Sequence, residues 1–215
     1  MSVNLFVAGT GSNVGKSYVT ALIIKKLKEL GCECGYFKAT MSENGKDRAE
    51  IKEFSGITQD EATMCPYVYK TNHLPYIAGR QENNPVSLDV VKEAFAKAGD
   101  TCDYLTMEGS SGICCPIGED LMLEDIVMTL KLPSVVVADS GIGCINSVVL
   151  TVSYMIMRDM PVKGIILNNF EKGNEDCEEN AKMCEMLTGV PVIATVGKGD
   201  KDLVIDEDTL LMLYE

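Results

Sequence analysis

Short apolar runs rich in β-branched residues alternate along this chain with stretches of helical periodicity. Val3 to Ala8, Cys34 to Ala39, Tyr104 to Met107, Ser134 to Ala138, Lys163 to Asn168 and Val190 to Val196 have the near-continuous hydrophobicity of parallel strands buried on both faces. Between them the spacing predicts helices over Lys16 to Leu30, closed by Gly31, and over Leu88 to Ala98, opened by Ser87 and closed by Gly99. Further helices are predicted over Leu121 to Leu130, over Ile145 to Met160, stopped by Pro161, and over Glu175 to Leu187, closed by Gly189. This alternation implies an α/β fold with a doubly wound, mostly parallel sheet, whose ligands lie beyond the carboxyl ends of the strands. Met41 to Pro85 carries no clear periodicity and reads as a long loop region.

The residues after the first strand carry the strongest chemical signal. Gly9-Thr10-Gly11-Ser12-Asn13-Val14-Gly15-Lys16-Ser17 follows a buried strand and opens a helix. Such a loop wraps phosphate in backbone N–H groups, extends a lysine to the outer phosphates and offers a hydroxyl to Mg2+. The expected fold type is therefore that of the P-loop NTPases. Gly9 and Gly15 enclose five residues where the ordinary motif encloses four, which marks a subclass.

Composition narrows the function. The 215 residues, 46% of them hydrophobic, suit one core, and residues 1–215 are expected to form one domain. A formal net charge of -13 offers no basic field for nucleic acid or an anionic membrane, and no apolar run has the roughly 20 residues that span a bilayer. Small-molecule chemistry in the cytoplasm is the expectation. The nine cysteines include no Cys-x-x-Cys, so zinc and thioredoxin-type sites lack their spacing and reduced thiols are expected. The lone histidine, His73, makes neither a metal cluster nor a triad and receives no role.

Several strands end in chemically useful residues. Lys38 follows the second strand and can meet a transferring phosphoryl group beside Lys16. Glu108 ends the third strand and Asp139 the fourth, and either carboxylate suits Mg2+. Asn168 and Asn169 end the fifth, where an amide could read a purine edge or simply form a turn. Val148 to Met157 is apolar on nearly every face of its helix, which points either to a central helix or, as the preferred reading, to a homodimer through that helix.

Together these segments resemble the dethiobiotin synthetase family over residues 3 to 196. The lengthened P-loop appears as Gly9 to Ser17, the family's Tyr-x-Lys-Pro as Tyr36-Phe37-Lys38-Ala39, its Glu-Gly-Ala-Gly-Gly as Glu108 to Gly112, and its Gly-Leu-Gly-x-Ile-Asn as Gly141 to Asn146. The resemblance implies ATP- and Mg2+-dependent closure of 7,8-diaminononanoate with CO2 or bicarbonate into a cyclic urea, in a homodimer. It implies that Lys16, Lys38 and Thr10 are catalytic, and that Ser12, Asn13, Val14, Gly15, Lys16, Ser17, Tyr18 and Asn168 hold ATP. Ser17, Asp47 and Glu108 would bind Mg2+, with Asp139 as the rival, while Ser42, Gly143, Cys144, Ile145 and Asn146 would hold the diamine, Asn146 reaching its carboxylate across the dimer. Ala39 for proline, the sequence Thr40 to Glu43, Ser110-Ser111 for Ala-Gly, and Val196 to Asp200 without Ile-Pro depart from the family pattern. A nucleotide switch, or a related ligase with another substrate, is the alternative. Because Lys16 and Lys38 end a loop and a strand, replacing either is expected to leave the fold intact.

Overall fold

In the computed structural model, which describes residues 2–215, six parallel strands form one sheet in the order β2-β5-β1-β6-β7-β8. These are β1 (Val3–Gly9), β2 (Cys34–Lys38), β5 (Tyr104–Glu108), β6 (Ser134–Asp139), β7 (Val162–Asn168) and β8 (Val192–Val196). A small parallel pair, β3 (Thr40–Met41) and β4 (Tyr67–Val68), stands beside the sheet. The helices are α1 (Lys16–Glu29), α2 (Lys46–Ser55), α3 (Pro75–Gln81), α4 (Leu88–Gly99), α5 (Leu123–Leu130), α6 (Cys144–Met157), α7 (Glu175–Thr188) and α8 (Glu207–Met212).

Alternation of side chains along each strand divides the core into two layers. Leu5 and Val7 of β1, Val135 and Val137 of β6, and Ile166 of β7 face α1 and α8, where they meet Leu22, Ile23, Leu27 and Leu210. Phe6, Ala8, Val136, Ala138, Ile165 and Leu167 point the other way, onto Phe95 of α4, Ile126 of α5, Val148 and Val152 of α6 and Cys184 of α7. Both faces of the sheet are thus covered, as its continuous hydrophobic runs require.

The five expected helices and six expected strands form, with shifted ends. α5 begins at Leu123 because Met122 pairs with Pro116 in an isolated bridge, while Asp125 accepts the Met122 N–H at 2.8 Å and fixes the first turn. α6 ends at Met157, before the left-handed Asp159 (φ 56°). The expectation of one long loop from Met41 to Pro85 is corrected: the segment contains α2, α3, β3 and β4. α2 escapes a periodicity search because Ile51 and Ser55 are its only buried residues, but Gly45 and Gly56, both left-handed, bound it. α8 was also not anticipated; Asp206 caps it by accepting the Thr209 N–H at 2.9 Å.

α6 packs one face on the sheet through Val148, Val152 and Met155, while Leu150 and Met157 are 63% and 75% exposed. A helix enclosed within its own subunit is therefore excluded. All nine cysteines are free thiols, and among the described residues no helix is long and apolar enough to cross a membrane.

Phe37 of β2, fully buried, meets Phe95 of α4 edge-on with ring centroids 5.3 Å apart. Phe37→Ala is expected to cost about 3–5 kcal/mol through the cavity it leaves, read as a lower urea midpoint at unchanged slope. A loss below about 1 kcal/mol would mean that the α4 face does not depend on this contact.

Candidate active site

The carboxyl ends of β1, β2 and β5 converge on one carboxylate. Lys38 and Glu108 are register partners across β2 and β5, and Val7 of β1 flanks Glu108 on its other side. Glu108 is 1% exposed, and three donors satisfy it. Its Oε1 accepts from Ser17 Oγ at 2.8 Å and from Lys38 Nζ at 2.9 Å, and its Oε2 accepts from Tyr36 Oη at 2.8 Å. Lys38 Nζ also donates to Asp47 Oδ2 at 2.5 Å. Asp47 gets there because Glu43, Asn44 and Gly45 all have positive φ (50°, 58° and 80°), which turns the chain sharply into α2 and puts Asp47 in its first turn. Burial by itself lowers the Lys38 ammonium, but Glu108 and Asp47 beside it outweigh that and hold it above the ordinary lysine range.

The P-loop is shaped for close approach. Gly9 has no room for a side chain, since a Cβ there would lie 2.5 Å from Lys16 Cδ. Lys16 folds over it and donates Nζ to the Gly11 carbonyl at 2.7 Å. Gly15 sits at φ 88°, where a Cβ would also strike the Asn168 amide at 2.0 Å. Thr10 is held by its N–H, which donates to the Val137 carbonyl at 3.0 Å, and Ser12 Oγ hydrogen-bonds Ser111 Oγ at 2.8 Å. α1 has no side-chain cap at its N-terminus, so its first N–H groups remain available to an anion.

Asn168 donates its Nδ2 to the Val14 carbonyl at 3.1 Å, so one half of its amide holds the P-loop. With Asn13, Tyr18, Phe54 and the segment from Gly197 it lines a cavity of about 570 Å3. Tyr18 and Phe54 meet edge-on there at 5.4 Å, and the Tyr18 hydroxyl donates to the Asp200 carbonyl.

A second cavity, about 270 Å3, opens beside Lys38 and Asp47 and includes Ser12, Ser42, Ser110 and Ser111. Gly143, Cys144, Ile145 and Asn146 do not join it. Within one subunit they line a separate groove of about 920 Å3 with Asp139. Asp139 accepts from the Gly141 N–H at 2.9 Å and from Asn169 Nδ2 at 2.6 Å, so its carboxylate serves the turn into α6 while Ser17 pairs with Glu108. Glu108, rather than Asp139, is the carboxylate bonded to the P-loop.

Three residues of the site were not identified from sequence. Tyr36 could have been: it lies two residues before Lys38 on β2 and so shares its face. Phe54 had no visible signal, because α2 had none. His73, given no role, lines the 270 Å3 cavity, brought there by the β3–β4 pairing.

The chain matches the family model described as "AAA domain" over residues 3–201. It is similar to the ATP-dependent dethiobiotin synthetase of Brachyspira hyodysenteriae, with 39% identity over 100% of both chains. The ATP-dependent dethiobiotin synthetase of Clostridium botulinum (strain Loch Maree) is 38% identical over 100% of this chain and 99% of the relative, and that of Clostridium perfringens (strain ATCC 13124) is 38% identical over 92% of each. Among solved structures, FtsY from Mycoplasma mycoides superposes with a TM-score of 0.50 at 14% identity, covering 100% of this chain and 67% of that one. The cell division protein FtsY from Thermotoga maritima gives 0.53 at 13%, covering 100% and 68%. At such identities the two structures show the fold alone.

Lys16 is 7% exposed, and burial pushes its ammonium down to about 8, with Glu108 opposing the shift and Lys38 adding to it. Phosphate against the ammonium raises it again, so nucleotide binding is expected to take up a proton above that pH. The affinity should weaken as pH rises through the same value, by up to about tenfold per unit. Calorimetric titration with ADP near about pH 7 and about pH 9, each in two buffers of different ionisation enthalpy, reads the proton directly. Equal, proton-free binding at both would place Lys16 away from the phosphates.

Proposed function

Because this chain belongs to the AAA-domain family and to the ATP-dependent dethiobiotin synthetases, we propose that it closes 7,8-diaminononanoate with CO2 and ATP into dethiobiotin. The observation that carries this reading is the buried Lys38 ammonium, held between Glu108 and Asp47, facing the 270 Å3 cavity on one side and the phosphate loop on the other. One amine of the diamine takes up CO2 and sheds a proton to become a carbamate. The γ-phosphoryl group of ATP passes to a carbamate oxygen, the second amine attacks the carbonyl carbon, and phosphate leaves with the electron pair of the broken C–O bond. No side chain need act as a nucleophile, so alignment and charge neutralisation carry the rate. Lys16 and the backbone N–H groups of Ser12 to Ser17 hold the phosphates, and Lys38 offsets the charge of the carbamate and of the transferring group.

Mg2+ fits the same cluster. Ser17 Oγ, Glu108 Oε1 and Asp47 Oδ2 form an all-oxygen set, and the two carboxylates already share one cation, the Lys38 ammonium, at 2.9 and 2.5 Å. Among the described residues no cluster of three or more His, Cys, Asp or Glu side chains could hold a metal, so the ion would rely on ATP phosphates for further ligands. Bound there, Mg2+ would neutralise charge on the phosphates.

The reading extends to the nucleobase at Asn168 and Tyr18, and to a homodimer in which the exposed face of α6 meets its counterpart. Gly143, Cys144, Ile145 and Asn146 would then serve the diamine bound by the other subunit. Their separation from Ser42 within one chain supports that arrangement. Residues 1–215 would act as one P-loop unit, and nine free thiols suit the reducing cytoplasm.

Purified protein with Mg2+, ATP and bicarbonate is expected to release phosphate only when the diamine is added, in equal amount to dethiobiotin measured by mass spectrometry. ATP turnover that ignores the diamine would refute the substrate. Lys38→Ala should lower turnover by about 100-fold or more. It also takes the counter-ion from the buried Glu108, which keeps Ser17 and Tyr36 as donors, so about 3 kcal/mol of stability should be lost, read in urea. Full activity in the Lys38→Ala protein would contradict the carbamate role.

A further inference from the structure

We propose that His73 accepts the proton of the ring-closing amine, an inference that rests on the reading above. Attack by the second amine forms the new N–C bond, breaks the C–O bond to phosphate and leaves the nitrogen with a proton that must depart. The leaving phosphate or solvent can take it, but a side chain that accepts it beside the diamine would speed the closure.

The titratable groups around the 270 Å3 cavity are Lys38, Asp47, Tyr69 and His73. Lys38 is a locked ammonium without a lone pair, donating at 2.5 Å to Asp47 and at 2.9 Å to Glu108. Asp47 is committed to that ammonium. Tyr69 spends its hydroxyl on the Asn84 carbonyl at 2.8 Å, and burial pushes it up to about 12. The remaining polar groups are hydroxyls and an amide, Ser12, Thr40, Ser42, Asn72, Ser110 and Ser111, none of them a base at neutral pH. The His73 imidazole is the remaining lining side chain, and its ring nitrogen can accept a proton.

The loop that carries His73 is tied down on both sides. Tyr69 N–H donates to the Met41 carbonyl at 2.8 Å, Ser42 Oγ donates to Asn72 Oδ1 at 3.3 Å, and the Glu82 carboxylate accepts from the Lys70 N–H at 2.9 Å. Pro75 then opens α3 and fixes the chain immediately beyond. The same bonds connect the loop to the strand end from which Lys38 projects, so acceptor and phosphoryl site belong to one frame.

The test compares wild type with the His73→Gly and His73→Gln proteins in rapid-quench single turnovers with Mg2+, ATP, bicarbonate and diamine. Both variants are expected to bind ATP and diamine within about threefold of wild type but to close the ring about 100-fold more slowly. Added imidazole should restore much of the His73→Gly rate. Ring closure within twofold of wild type, or a defect confined to diamine affinity with no imidazole rescue, would overturn the proposal and leave the reading of function standing. A wild-type protein indifferent to the diamine would overturn both.

Discussion

The carboxylate of Glu108 is the constraint on which the rest of the site depends. Buried at the end of β5, it draws Ser17 from α1, Tyr36 and Lys38 from β2 and, through Lys38, Asp47 from α2. A carboxylate so enclosed would be prohibitively costly if unpaired, so each of its donors is fixed by the need to satisfy it. That need orders the P-loop against the cavity beside Lys38. The proposed reaction would call upon the same donors, which is the economy of a preorganised centre.

Topology supplies the convergence. β1 lies between β5 and β6, so the loop after it emerges where the chain departs in both directions, and the residues ending its neighbours are brought to its sides. The 570 Å3 cavity, lined by Asn168, lies toward β7, and the 270 Å3 cavity, lined by Lys38, toward β2.

Much of this was legible in the sequence because it resides on strands. Buried runs gave β1, β5, β6 and β7, and their last residues named Glu108, Asp139 and Asn168. Lys38 was visible for the same reason. What the sequence concealed lies on elements stabilised by turns and single contacts. α2 is almost wholly polar and is set by left-handed Gly45 and Gly56, so Asp47 rested on family resemblance and Phe54 went unseen. His73 was dismissed because a lone histidine has no sequence partner; its partner is a cavity assembled by two strands of two residues each. Asp139 was ambiguous in sequence, and only its hydrogen bonds to Gly141 and Asn169 separate it from the phosphate site.

A crystal structure with Mg2+, ADP, a phosphate mimic and the diamine tests the central claim most directly. The account predicts the metal on Ser17, Glu108 and Asp47, with Lys38 released from Glu108 toward the phosphate mimic. A metal held instead by Asp139, with the Lys38 and Ser17 bonds to Glu108 unchanged, would show that this carboxylate serves the fold alone.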